Sequence, residues 1–401
     1  MMTRTHALLP LLLVGLVAAC AGPSAAPRAS GAAPAAPAAP AASAPPGNAA
    51  PAAVPEGWDA LVAAARQEGA VQVGGPQGLD FRRVLVDDFQ QAYPGIKVEY
   101  VPGRHADIWP RMQAERAAGR YLWDIFIGGG NTTPQTLKPA GAAAALEPAL
   151  VLPEVRDPAA WFDHRLWWAD AEEPYTTLSF QGNVNVFVVY NKQLVDPAQI
   201  SSYRDLLDPR WKGKIVATDV RATTIGAQPV RFVHANPALG PDFLEHLFGD
   251  TELTLGTDQR QLIDWLSDGQ FAFGLFLSPN AVLQAIEQGL PIDFVPSERF
   301  AEGASIGASS GAINLIEPAP HPNAAKVFVN WLLSREGQLA WQREVKAPSL
   351  RTDIPKDGVY PALIPQPGRG YVDASTAAFY PAEEQQRINE LITRALEKAK
   401  R

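Results

Sequence analysis

From Trp58 onward the hydrophobic period of the chain switches repeatedly between helical and extended. Trp58, Leu61, Val62 and Ala65 recur at helical spacing and Gly69 follows as a stop, so a helix is predicted to end there. Val71 and Val73 then alternate as a short strand that runs into Gly74-Gly75-Pro76-Gln77-Gly78. A second helix is expected from Leu79 through Arg82, Val84, Leu85 and Phe89 to the breaker Tyr93-Pro94-Gly95, and Ile96, Val98 and Tyr100 alternate as a half-buried strand. Ile108, Trp109 and Met112 mark a helix ending near Gly119. Trp123-Asp124-Ile125-Phe126-Ile127 is a buried strand that opens into Gly128-Gly129-Gly130-Asn131-Thr132.

The second half repeats this grammar. Lys214 to Thr218 reads as a strand, Thr223 to His234 as a helix, Phe271 to Leu277 as a strand, and Ala281 to Gln288 as a helix closed by Gly289. After the apolar stretch Ile313 to Ile316, Pro322 to Leu333 is predicted to be an amphipathic helix with Ala324, Val327, Phe328, Trp331 and Leu332 on one face. Repeated helix, strand and glycine loop predicts an α/β fold built on mainly parallel sheets, and there is no repeat at solenoid spacing. The chain beyond Glu56 is long enough for two lobes.

The start of the chain follows another pattern. An apolar run from Leu8 to Ala19, preceded by Arg4 and ending in small residues, has the layout of a secretory signal over 1–19, and it is shorter than the roughly 20 apolar residues that span a bilayer. Cys20 is the only cysteine of 401 residues. Val17-Ala18-Ala19-Cys20 resembles the bacterial lipobox, which implies cleavage before Cys20 and attachment of diacylglycerol and an N-acyl group to it. Two or more acyl chains hold a protein firmly to a membrane where one does so only marginally. The alternative is an ordinary signal peptide with the cysteine near the cut by chance, which would leave an unpaired thiol in an oxidising compartment. Residues 20–55 are almost wholly Ala, Pro, Gly and Ser, with Arg28 the only charge, and read as a disordered tether. At about 3.1 Å per residue it reaches on the order of 100 Å.

Charge narrows the partners. The net charge is −8, and no basic stripe or basic amphipathic helix occurs, which argues against nucleic acid. Ten tryptophans and sixteen phenylalanines supply material for a core.

Several segments carry a family resemblance. Trp58-Asp59-Ala60-Leu61 through Gly69, Phe89-Gln90-Gln91-Ala92-Tyr93-Pro94-Gly95, Tyr190-Asn191-Lys192, Asp205 through Trp211-Lys212-Gly213-Lys214, and Pro320-His321-Pro322-Asn323 through Gly337-Gln338 resemble, in that order, the extracellular solute-binding proteins of ABC importers. Within that superfamily they are similar to the cluster of ferric-ion, thiamine, phosphonate and polyamine receptors. The resemblance covers Glu56 to about Arg351. It implies a two-lobed type II periplasmic binding protein: 56–185 and 305–401 with the C-terminal helices as the first lobe, 186–304 as the second, two crossing strands between them, and a ligand in the cleft. A monomer is implied, with a small-molecule ligand, a membrane permease as partner, contact with the membrane through the lipid alone, and no cofactor.

The residues also nominate a site of their own accord. A strand that ends in glycines and opens a helix aims unpaired N–H groups and the helix dipole at one point. Gly75, Pro76 and Gln77, then Gly129, Asn131 and Thr132, then Asp219 to Thr223 are such places; in the other reading glycine merely makes the turn. Arg221 can clamp a carboxylate or phosphate with its fork, or pair with Asp219. Arg104-His105 faces the cleft or solvent, and Tyr175 and Phe180 pack a ligand or the core. His321 reads as a cap on the following helix. Ferric receptors of the resembled cluster present adjacent tyrosines where this chain has Ser278, Pro279 and Asn280 after Phe271 to Leu277, and no Tyr-Tyr pair exists anywhere. Fe(III) held by tyrosinates is therefore disfavoured, while an iron chelate, a phosphonate or an organic acid stays open. A sensor lipoprotein reporting to a membrane kinase is an alternative use of the same fold. Gly307-Ala308-Ser309-Ser310-Gly311 spells a nucleophile elbow, which would make Ser309 a hydrolase nucleophile, but its flanks read strand–turn–strand rather than strand–turn–helix. No enzyme is expected.

Overall fold

The computed structural model of the protein describes residues 57–130, 133–223, 225–376, 379 and 383–400. The signal segment 1–19, Cys20, the tether 20–55, and Asn131 and Thr132 lie outside the described residues. The strands, in chain order, are β1 Ala70–Gly75, β2 Lys97–Pro102, β3 Ile125–Gly128, β4 Trp167–Trp168, β5 Thr177–Ser179, β6 Asn183–Val184 and β7 Val188–Asn191. They continue as β8 Ile215–Thr218, β9 Thr254–Gly256, β10 Phe273–Leu275, β11 Ile292–Phe294, β12 Ala304–Gly307, β13 Ala312–Leu315 and β14 Tyr371–Asp373.

These strands form two open lobes and a joint. The first sheet has the order β2-β1-β3-β13-β5-β4 and the second β11-β7-β10-β8-β9. Both are mixed rather than mainly parallel: β1, β2 and β3 run parallel, as do β8, β9 and β10, but β13 enters antiparallel to β3, and β7 antiparallel to β10. The cause lies in the connections, since β7 and β13 are each fed from the opposite lobe, through β6 and β12. Those two crossing strands pair antiparallel, and a third strand, β14, joins them on the β12 side.

The helices follow the sequence pattern, with differences at their ends and faces. The Trp58–Glu68 helix stops at Gly69 in the left-handed region (φ 73°). The helix over 79–92 contains a π-helical stretch, Arg83–Asp88. The helix expected from Thr223 begins only at Ala227, because the Thr223 hydroxyl accepts Ile225 N–H and Gly226 turns left-handed (φ 80°) against Phe276. Pro322–Leu333 is not one-faced: Ala325, Val329 and Asn330 are buried beside the predicted apolar stripe. It packs on the Trp58–Glu68 helix and against Val71, Val73, Ile125 and Ile127.

The second core is a stack of rings. Phe300 and Tyr203 stack at 3.8 Å, Tyr203 and Phe187 at 4.7 Å, and Phe187 and Phe276 at 5.2 Å, with planes within 11°. The Glu384–Ala399 helix joins this core. The sequence reading groups it with the first lobe, whereas Ile388, Leu391, Ile392 and Ala395 lie against the Gly240–Asp250 and Ala227–Ala235 helices of the second. Among the described residues no helix is long and apolar enough to cross a membrane.

Candidate functional site

Strand register turns the glycine loops of both lobes toward the joint. In the first sheet Gly128, at the carboxyl end of β3, pairs with Ala312, the first residue of β13, which has just left the crossing strand β12. Ser179, the last residue of β5 before the other crossing, also pairs with Ala312. In the second sheet Leu275, at the carboxyl end of β10, pairs with Val188, the first residue of β7, and stands level with Ala217 near the end of β8. The carboxyl ends where open α/β sheets place ligands therefore face the joint from both sides.

The loop after β1 is only partly free. A Cβ on Gly74 would lie 3.0 Å from Trp123, and one on Gly75 3.0 Å from the Tyr100 hydroxyl, so both glycines make room for packing. Tyr100 Oη donates to Pro76 O, and burial raises its pKa. Gln77 and Gly78 are exposed at the start of the 79–92 helix. In the second glycine loop, Gly130 packs against Ser179 and Ser375. Ser179 Oγ is buried without a hydrogen-bond partner among the described residues.

Asp219 and Arg221 find each other. Arg221 Nε and Nη2 donate to the two Asp219 carboxyl oxygens at 2.9 and 2.7 Å, Arg221 N–H adds a third bond at 3.1 Å, and Nη1 reaches Thr393 Oγ1 at 3.2 Å. The guanidinium holds the Asp219 carboxyl below its ordinary range. Of the two readings of Arg221, this geometry is that of the structural pair. Thr223 forms the turn described above. Ser278 donates its N–H to Gln259 Oε1 at 2.7 Å, and Gln259 Nε2 donates to Thr218 Oγ1 at 3.1 Å, so one side chain ties the β8 and β10 loops together. Asn280 is exposed in the first turn of the Pro279–Glu287 helix.

The remaining candidates lie apart. Tyr175 stacks on Trp168 at 5.2 Å, before β5 and so at the end of the sheet away from the joint. Phe180 is fully buried against Trp341. His105 bonds Thr136 Oγ1 at 2.7 Å and stacks on Trp109, and burial lowers its pKa. Arg104 pairs with Asp107 in solvent. Ser309 sits in the strand–turn–strand connection from β12 to β13. Two surface hollows, of about 420 and 560 Å³, lie along the Gln259–Ser267 and Glu384–Ala399 helices; no glycine-loop residue lines either.

Residues 74–339 match the family of bacterial extracellular solute-binding proteins. The chain belongs to that family. A curated relative, iron uptake protein A1 of Synechocystis, is 23% identical over 165 residues, which is 38% of this chain and less than half, 44%, of the relative's length. A Trichodesmium protein solved in complex with iron and citrate shares 18% identity at a TM-score of 0.59, over 82% of this chain and 99% of that one. The substrate-binding protein of an ABC transporter from Agrobacterium tumefaciens shares 16% at 0.54, over 83% and 96%. At these identities the likeness is one of fold.

In this solute-binding protein the joint itself holds residues that the motif reading passed over. Asn183 and Ser305 sit on the crossing strands, Asn185 follows directly after β6 with its N–H bonded to Ser305 O, and Gln228 stands in the first turn of the Ala227–Ala235 helix. No motif marks them. Only the pairing of β6 with β12 brings them together, although the run Gln181-Gly182-Asn183-Val184-Asn185 is polar at alternate positions, which is a strand signal.

Proposed function

We propose that the protein is the extracytoplasmic receptor of an ABC import system. It captures a small polar or anionic solute between its lobes by closure about the hinge strands and delivers it to a membrane permease. The observation that carries this reading is the turning of both sets of strand carboxyl ends toward one short-stranded joint, in a chain of the solute-binding family. Cys20 carries the lipid, 20–55 serves as the tether, and the receptor acts as a monomer.

Iron is named for two of the relatives, and for this chain it is supported only as a chelate. The chain has no adjacent tyrosines, and among the described residues no cluster of three or more His, Cys, Asp or Glu side chains is placed to hold a metal ion. An iron complex that brings its own oxygen donors needs neither. Native mass spectrometry of the protein purified from its membrane identifies the co-purifying solute. That solute, at a hundred times its Kd, is expected to add about 2.7 kcal/mol of stability and to shrink the small-angle scattering radius. A broad solute panel that moves neither quantity rules the reading out.

A further inference from the structure

The hinge sheet has two unlike faces, and one of them carries no charge. Gly307 pairs directly with Asn183, and Asn185 N–H bonds Ser305 O, so Asn183, Asn185, Ser305 and Gly307 share a face while Val184 and Ile306 turn into the core at 1% exposure. Val372 stands level with Ser305 on this face and is 46% exposed. Asp373, the one charged residue of the three hinge strands, is level with Ile306 and so points the other way, where it accepts Ser375 N–H at 2.8 Å and lies 3.8 Å from Arg165.

Gln228 closes over the uncharged face from the second lobe. A Cβ on Gly307 would lie 3.0 Å from Gln228 Oε1 and 3.4 Å from both amide atoms of Asn185, so the two carboxamides close tightly on the glycine and a group seats there only when the Gln228 side chain swings aside. Neighbours orient the amides. Asn185 Nδ2 donates to Ser305 Oγ at 2.9 Å, and its Oδ1 has no partner among the described residues. Trp341 Nε1 donates to Gln181 Oε1 at 3.0 Å and Gln181 Nε2 to Asn183 Oδ1 at 3.2 Å, and Asn183 Nδ2 has no acceptor among the described residues. No hydrogen bond holds the Gln228 carboxamide among the described residues.

A formal charge seated here would meet no counter-ion from the hinge strands, whose one charged residue, Asp373, points to the opposite face. Burying an unpaired charge is strongly unfavourable, whereas a hydroxyl or carboxamide can both donate to and accept from these side chains. On the receptor reading above, we infer that the asparagine face and Gln228 form the floor of the ligand site. The part of the ligand seated at Gly307 is an uncharged hydroxyl or carboxamide, and the ligand is a polyhydroxylated or amide-bearing solute.

Titration calorimetry with a paired panel tests this: neutral sugars, polyols and amides against their phosphorylated and carboxylated counterparts, ferric citrate included. A neutral member is expected to bind the wild-type protein. Gln228→Ala and Gly307→Ala are each expected to weaken it at least tenfold with the ligand-free melting temperature unchanged; Gln228 Oε1, at the end of a flexible side chain, gives way to the added methyl. Binding of charged members alone, or neutral binding that neither substitution alters, overturns the inference and leaves the receptor reading in place. If no member of either half binds, the two fall together.

Discussion

Asp124 is fully buried, and three donors converge on its carboxyl: Gln72 N–H at 2.7 Å, His321 N–H at 2.7 Å and His321 Nδ1 at 2.8 Å. The bond to Asp124 raises the His321 pKa, burial opposes it, and Glu68 and Glu99 add to the rise. A folded-state pKa above the unfolded value of about 6.5 means that the charge contribution is complete below that value and is lost as pH climbs through the folded pKa. His321→Ala is therefore expected to cost about 2 kcal/mol at pH 6 and clearly less at pH 8.5, read by urea unfolding; equal losses would show that the imidazolium contributes nothing. The sequence reading made His321 the cap of its helix. His321 does hold the N-cap position, but its side chain makes no capping bond; the free donors of the first turn go to Glu68, 255 positions before Asn323, whose carboxyl accepts Asn323 N–H at 3.1 Å and Ala324 N–H at 2.7 Å. Residue type announced a polar contact at that helix start, but the partner came from tertiary structure. Arg221 is the converse case, because its partner Asp219 is two residues away and the pair was legible as one of two readings.

At the scale of elements, periodicity located most helices and strands and fixed the faces of the exposed ones. It failed where a helix is enclosed. The Pro322–Leu333 helix displays Asn330 off its apolar stripe, as a solvent-facing position would, yet Asn330 is fully buried. Its Oδ1 accepts Val151 N–H at 2.8 Å and Leu152 N–H at 3.0 Å, while Nδ2 donates to Ala149 O and Lys326 O at 2.7 and 2.8 Å. One amide thus satisfies the irregular segment after Glu147–Ala149, which has no ladder of its own to bond to. Asn330→Leu keeps the volume and strands those backbone groups. It is expected to destabilise by at least about 3 kcal/mol, where an exposed asparagine would tolerate the change within about 0.5 kcal/mol. Denaturant midpoints decide between the two.

For the whole molecule, the order of crossings matters more than any single strand. The segments resembling solute-binding proteins gave the two-lobed plan, but they stop near Arg351, and the last fifty or so residues carry no signal of where they go. Those residues leave the first lobe and bond the second through Arg369, which donates to Glu298 O and Phe300 O. They then enter the hinge sheet as β14 and finish as the Glu384–Ala399 helix, in which the spacing of Ile388, Leu391 and Ile392 predicts a helix but not which lobe it covers. His234 Nδ1 to Glu384 at 2.6 Å and Arg221 to Thr393 fasten that helix at its first residue and in its middle. Removing it uncovers the faces of the Gly240–Asp250 and Ala227–Ala235 helices on which it packs, in the second lobe, and no part of the Trp331–Trp341 core of the first. A chain ending at Asp373 is therefore expected to unfold in two steps. The second lobe, reported by Trp211 and Trp265, should melt first by several degrees, and the first lobe, reported by Trp123, Trp161, Trp331 and Trp341, should melt near the intact protein's temperature. Single-tryptophan variants of the shortened chain separate the reporters. One shared transition would mean that the lobes are coupled through the hinge strands strongly enough that the terminal helix stabilises both.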